Sequence, residues 1–286
     1  MRAATYAGGG RWSSFGAVRR LILHLALIVF AIVMSMPFVW MISTAFKTPP
    51  ELNDWPPTLL PEQLQLDNFR QVFASAPFER YFLNSLGMAS ISSLSIIATS
   101  TVAGYIFAKF RFIGSALMFS LMLATAIVPF EIYMIPLYLQ VKELNMVNTF
   151  PGLTMPYLVM SFGIFFMRQN AMQQIPDELI ESARVEGASE WRTFGSVVVP
   201  QLRSPMSALG IFAFIEAWNA FVWPLLVANE KSHFTMELGL AMFQSSFTIA
   251  INVMTAGSVI SILPILTVYL FLRRSIIESI SLTGIK

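Results

Sequence analysis

The chain has no cysteine, which excludes a disulfide framework, a cysteine nucleophile and any thiolate metal site. Histidine is nearly missing too: His24 and His233 stand far apart and form no HExxH-type cluster. Charge is scarce, at 12% of residues, against the ~25% of ordinary soluble domains. The formal balance of +2 gives no reason to expect a nucleic acid partner. What remains is apolar: 56% of the 286 residues are hydrophobic. A chain so composed cannot hide its apolar surface in a water-soluble core, and a bilayer is its natural solvent.

Six apolar runs are long enough to span, at roughly 21–44, 82–108, 114–140, 150–168, 205–228 and 254–272. Each approaches or exceeds the ~20 residues that cross a hydrocarbon core. The first follows Arg19-Arg20 and precedes Ser43-Thr44-Ala45, a pattern that invites comparison with a cleaved leader. Its apolar stretch from Leu21 to Ile42 is longer than a leader's core, so it reads as a span. Of the 18 lysines and arginines, only Lys47, Arg70, Arg80, Lys142 and Lys231 fall in the second, fourth and sixth inter-span positions counted from the N-terminal tail. The positive-inside rule therefore places both termini in the cytoplasm.

Two segments read as large external loops. The first, about Lys47 to Arg80, carries Pro49-Pro50, Pro56-Pro57 and several aromatics, and suggests short helical turns; the second runs from about Ala228 to Val253. Gly8-Gly9-Gly10 reads as a flexible tail.

The charges that do occur gather between the fourth and fifth runs. Pro176 suits a first helical position, and Asp177 and Glu178 follow where carboxylates complement the helix dipole. The helix is expected to reach about Glu186, with Gly187 as its C-terminal cap and Ser189 capping a second helix. Trp191, Phe194 and Val198 recur on one side of that second helix, which predicts an apolar face packed on the bundle, and Pro200 is expected to stop it. Glu181 and Arg184 share a face of the first helix and are free to meet a partner.

The order Glu181-Ser182-Ala183, three residues, Gly187, nine residues, Val197-x-Val199-Pro200 resembles the "EAA" signature of bacterial ABC importer permeases. Ser182 stands where that signature has alanine, and Val197 and Val199 replace larger aliphatics. Asn84-Ser85-Leu86, Ala103-Gly104-Tyr105, Pro151-Gly152-Leu153 and the stretch Trp218-Asn219 to Trp223-Pro224 look like the carbohydrate-uptake branch of maltose- and glycerol-phosphate-type permeases, as does Leu282-Thr283-Gly284-Ile285-Lys286. The likeness runs from about Leu21 to Lys286.

The resemblance implies an all-α membrane protein of the MetI-like type. Six transmembrane helices over residues 21–275 would lie between cytoplasmic tails 1–20 and 276–286, with a coupling loop at 169–204. It also implies a second homologous permease, two ATP-binding cassette ATPase subunits and an extracytoplasmic solute-binding protein as partners, in a bacterial inner membrane. Glu181, Ala183, Arg184, Glu186, Gly187 and Pro200 are then the residues expected to couple to the ATPase. No cofactor is expected in this chain, since it has no GxxxxGK[ST] loop to cradle phosphates. ATP and Mg belong to the ATPase.

Glu131 and Glu216 fall within expected spans, where a charged carboxylate costs about 2.5–3.5 kcal/mol and tends to face a wet interior. Glu216, Asn219 and Trp223 recur at helical spacing beside Trp218, and aromatic planes with polar acceptors suit a hydroxyl-rich sugar. These five form the candidate solute path. Two readings stay open: the tryptophans could be interfacial belt residues, and Glu131 could satisfy backbone freed at Val128-Pro129. Pro129, Pro136, Pro224 and Pro264 are expected to kink their helices, as hinges or as static bends. The alternative to an ATP-driven importer is an ion-gradient-driven secondary transporter, which leaves the charged loop unexplained and predicts internal repeats that the sequence lacks. An intramembrane hydrolase lacks its Ser/His pair or metal ligands.

Overall fold

In hydrocarbon, only a helix or a closed barrel satisfies its own backbone, so long apolar runs become helices. The computed structural model describes residues 12–246 and 251–283, with side chains over 18–242 and 251–271. Arg2, Arg11, the Gly8-Gly9-Gly10 tail and Gly284-Ile285-Lys286 lie outside the described residues. Among the described residues there is no strand.

The helices are α1 Trp12–Ala45, α2 Asp67–Ser75, α3 Phe78–Lys109, α4 Ser115–Ile127, α5 Phe130–Glu143, α6 Phe150–Thr154 and α7 Ser161–Gln174. Then come α8 Asp177–Val185, α9 Glu190–Thr193, α10 Val199–Gln201, α11 Arg203–Trp218, α12 Val222–Val227, α13 Met236–Ser246 and α14 Ile251–Thr283. Among the described residues, three unbroken helices are long and apolar enough to cross a membrane: Val18–Ala45, Phe78–Lys109 and Ile251–Phe271. Three more are bent pairs: α4 with α5 at 100°, Phe150–Tyr157 with α7 at 43°, and Glu190–Gln201 with α11 at 77°. Six crossings result if each pair counts as one.

Each bend has a local cause. Val128, before Pro129, adopts an extended backbone (φ −74°, ψ 117°), because proline's ring disfavours a helical predecessor. Pro156 sits in a 3-10 turn, and Met160 is extended before α7 starts. Leu202 leaves helical geometry (φ −94°, ψ 10°) just before α11. Of the four expected kinks, Pro129 marks the 100° break and Pro224 lies in the first turn of α12. Pro136 and Pro264 sit inside helices that continue through them.

The described residues up to Phe69, with 251–259, form one unit. Apolar side chains of α1 point outward all around it, Leu21, Phe30 and Val39 among them, as suits a helix surrounded by lipid tails. Past its end, a buried polar knot orders the chain. The Asn68 amide donates to the carbonyls of Ala45 and Lys47, both at 2.9 Å, and accepts from the Asn252 amide at 2.8 Å. Lys47 is buried as well, donating to the Thr58 carbonyl with its ammonium 5.0 Å from the Trp40 ring centre. Glu51 accepts the Glu62 N–H at 2.9 Å. The loop expected from Lys47 to Arg80 is thus ordered around a 3-10 turn, Glu51–Asn53, and α2.

The other unit, the described residues from 70 to 246 and from 260 to 283, is built on α3. Its 32 residues span ~48 Å at 1.5 Å each, more than the hydrocarbon needs. The buried side of α3 is small and hydroxylated, with Ser85, Ser92, Ser93, Ser100, Thr101 and Gly104. Small residues let membrane helices approach closely, and dispersion between the backbones replaces a missing hydrophobic drive. At Gly104 a Cβ would stand 2.7 Å from the backbone nitrogen of Arg168 on α7, so only glycine fits. On the α11 side, Ser93 donates to the Gly210 carbonyl at 2.9 Å. The inner core joins Ile96 and Tyr105 of α3 to Met167, Ile180, Val198, Leu202 and Leu209.

Candidate functional site

Two features carry chemistry, and the first is the charged hairpin. Pro176 precedes α8 with extended backbone (ψ 144°), one position earlier than expected. Ile180 and Ala183 face the core, leaving Glu181, Arg184 and Glu186 outside. At the end of α8, the Gly187 N–H donates to Arg184 at 3.0 Å and the Ala188 N–H to Ala183 at 2.9 Å. That is the Schellman pattern, and it needs a left-handed residue, here Gly187 at φ +79°. Ser189 then caps α9, accepting the Arg192 N–H at 3.4 Å.

Arg184 is not free for a partner: its guanidinium donates to Glu190 at 2.8 Å across the turn, 5.9 Å from the Phe110 ring centre. Glu181 is exposed and forms no ion pair among the described residues. The expected apolar face of the second helix holds at Val198, which is fully buried, and at half-buried Phe194, 5.6 Å from the Tyr105 ring. It fails at Trp191, which is 78% exposed. The reason is a π-turn over Phe194–Val198, which shifts the register so that Trp191 no longer lies over the buried positions. Pro200 does not stop that helix either. It sits in the first turn of α10, and the chain turns at Leu202 instead.

The hairpin is tied to the spine. Lys109, the last residue of α3, donates to the Asp177 carboxylate at 2.6 Å. That hydrogen bond, then the Lys109 charge, with a smaller contribution from Arg111, holds the Asp177 carboxyl below its usual range. Because the folded pKa is lowered, the tie is complete above the ordinary aspartate value of ~3.9 and is lost as pH falls through the lowered one. Asp177→Asn at pH 7 is expected to speed amide exchange in the first turn of α8 by about twofold to threefold, as befits an exposed pair. The unaltered chain should show the same loosening only on acidification below ~3.9.

The second feature is a cavity of about 890 Å³ where three interruptions of the chain meet. Val128, Phe130 and Tyr133 come from the α4–α5 break, Tyr157 and Val159 to Phe162 from the break before α7, and Glu216 with Phe221 to Trp223 from the end of α11. The volume falls in the ~300–1,000 Å³ range of small-molecule sites. Thr125 and Ser161 face one another across two of the breaks, their hydroxyl oxygens 2.7 Å apart. Trp223 is fully buried, donates its indole N–H to the Gly152 carbonyl at 3.0 Å and meets the Phe130 ring edge-on at 6.2 Å.

Of the five expected path residues, the lining includes Glu216 and Trp223 but not Glu131, Trp218 or Asn219. The helical spacing behind that expectation does not hold, because α11 ends at Trp218 and the chain is irregular through Asn219 to Phe221. Trp218 is fully buried elsewhere, stacked on Phe214 and edge-on to Phe82. Asn219 closes α11 with its backbone N–H on Ile215. Glu131 lies in the first turn of α5, where both it and Glu216 reach the Tyr133 phenol electrostatically. Sequence reasoning missed Tyr133, Tyr157, Thr125 and Ser161; Pro129, expected to kink its helix, and Pro156, which that reading passed over, were the available signal.

Residues 100–278 match the family described as binding-protein-dependent transport system inner membrane component. The arabinooligosaccharides transport system permease protein AraQ of Halalkalibacterium halodurans is 31% identical over 259 residues, covering 90% of this chain and 92% of that protein. The diacetylchitobiose uptake system permease protein NgcG of Streptomyces coelicolor is 29% identical, with 90% and 86% covered. In fold, the chain is similar to one from the crystal structure of a bacterial ABC transporter involved in the import of the acidic polysaccharide alginate. The TM-score is 0.74 at 19% identity, with 95% of this chain and 99% of that one covered.

Proposed function

The chain belongs to the family of binding-protein-dependent transport system inner membrane components, and from that membership we propose that it forms half of a sugar path driven by a separate ATPase. Sugar as the cargo rests on the relatives, which are named for arabinooligosaccharide transport and diacetylchitobiose uptake. A second permease completes the path, two ATPase subunits sit beneath it with ATP and Mg, and an extracytoplasmic binding protein delivers the solute. Both termini and the hairpin at 177–193 face the cytoplasm, in keeping with the lysine and arginine distribution.

The observation that carries this reading is one of continuity. The hairpin capped at Gly187 runs through the π-turn and α10 and, across the 77° turn at Leu202, into α11, the helix that brings Glu216 to the cavity. A displacement applied at the hairpin therefore reaches the cavity wall through packed helices, as a rigid-body shift. Glu181 offers a free carboxylate to a basic group of the ATPase, while Ala183, Arg184, Glu186 and Pro200 shape the handle. Glu216 faces the solute, Trp223 closes the wall behind it, and Glu131 lies two residues from Tyr133 at the start of α5.

Mild solubilisation of the tagged chain should recover an ATPase with a phosphate-binding loop. The reconstituted complex should take up sugar only with its binding protein outside and ATP inside. Purified chain that moved solute alone along an ion gradient would select the secondary transporter and end this reading.

A further inference from the structure

The cavity has a charge character that its place in an importer does not by itself dictate. Among the described residues its wall holds one carboxylic acid, Glu216, and no lysine, arginine or histidine. The remaining polar side chains there are hydroxyls: the Tyr133 and Tyr157 phenols and the facing pair Thr125 and Ser161. Hydroxyls donate and accept equally well, and so match an uncharged polyol without favouring an anion.

Helix ends are the other source of field. The breaks set the N-terminal ends of α5 and α7 beside the cavity, each equivalent to about half a positive charge. They also bring the C-terminal ends of α4 and α11 there, at Thr125 to Val128 and at Glu216. Those ends carry the opposite partial charge; the N-terminal end of the short α12, at Phe221 to Trp223, and the C-terminal end of the 3-10 turn at Tyr157 add one more of each sign, so the six largely offset one another. Glu216 is left as the uncompensated group.

We infer that this cavity selects solute by charge, admitting neutral or amine-bearing hydroxylated molecules and disfavouring carboxylated, phosphorylated or sulfated ones, with Glu216 as the residue that sets the sign. The inference rests on the cavity's being part of the aqueous path, as proposed above. Among the described residues this wall offers an anion no cationic side chain, and each helix N-terminus there is matched by a C-terminus.

The absence of native cysteine makes the wall directly measurable. Single cysteines at Ser161→Cys and, independently, Val222→Cys are placed in the chain assembled with its partner subunits in liposomes. Each is reacted with a trimethylammonium methanethiosulfonate and with a sulfonate-bearing methanethiosulfonate. The ratio of the two rates is compared with and without Glu216→Gln, which cancels the reagents' intrinsic difference. Removing one nearby charge should lower the cation-to-anion ratio by about tenfold. A ratio that Glu216→Gln leaves unchanged at both positions overturns the inference while sparing the path itself. If neither reagent reaches either position although both label Trp55→Cys, in an exposed stretch of the first loop, the cavity is dry and the path reading fails with it.

Discussion

Gly187→Pro is expected to abolish ATP-driven uptake while the chain still assembles with its partner permease. Two things are lost at once. Proline fixes φ near −65°, whereas this position sits at +79°, and it removes the N–H that donates to Arg184. The Ala188 bond to Ala183 depends on the same turn and goes too. No neighbour crowds the position, since a Cβ added at Gly187 meets nothing within 4 Å. Backbone geometry is therefore the whole constraint, and that makes the series informative. Alanine should cost roughly 1–2 kcal/mol, the penalty for a left-handed L-residue, and reduce uptake by about tenfold or a little more. Asparagine, which tolerates that conformation, should retain much of the uptake. If proline leaves ATP-driven uptake intact, or asparagine is as damaging as proline, the turn is not what transmits the displacement.

The hairpin could be read from the sequence because each of its signals is local. Asp177 and Glu178 in a first turn, Gly187 after the last one and Ser189 before the next helix each act within four residues of where they stand. The long spans could be read for a similar reason, since hydrocarbon leaves a greasy run little choice but helix. The cavity could not. Its wall is assembled from breaks near residues 128, 159 and 220, and sequence spacing reports neighbours only along an unbroken helix. Glu216 and Trp223 do meet at the cavity, although by way of an irregular Asn219 to Phe221 rather than a shared helical face. The same limit explains the two tryptophans: Trp218 and Trp223 look alike in sequence, yet one is sealed between Phe82 and Phe214 and the other holds two interrupted segments together. Trp191 went astray through a single π-turn, which no periodicity argument anticipates.

Trp223 is consequently the side chain whose truncation should damage the cavity most. It is fully buried, and its indole N–H meets the carbonyl of Gly152, a residue held so tightly that an added Cβ would lie 2.1 Å from the Met146 carbonyl oxygen. Around it pack Val141 and Val227, with Phe130 edge-on. Trp223→Ala removes this bridge between α5, α6 and α12 and leaves a void, at about 3–5 kcal/mol for a large aromatic in a packed core. The expected result is loss of uptake together with a lower melting temperature of the purified complex. Trp223→Phe keeps most of the volume and deletes one donor, stranding the Gly152 carbonyl at about 1–3 kcal/mol. The two variants therefore separate wall shape from stability. If phenylalanine recovers most of the melting temperature without restoring uptake, the indole's hold on Gly152 sets the shape of the cavity wall. If both recover together, Trp223 serves only to hold the broken helices in register. Normal uptake in the alanine variant would mean that solute passes elsewhere.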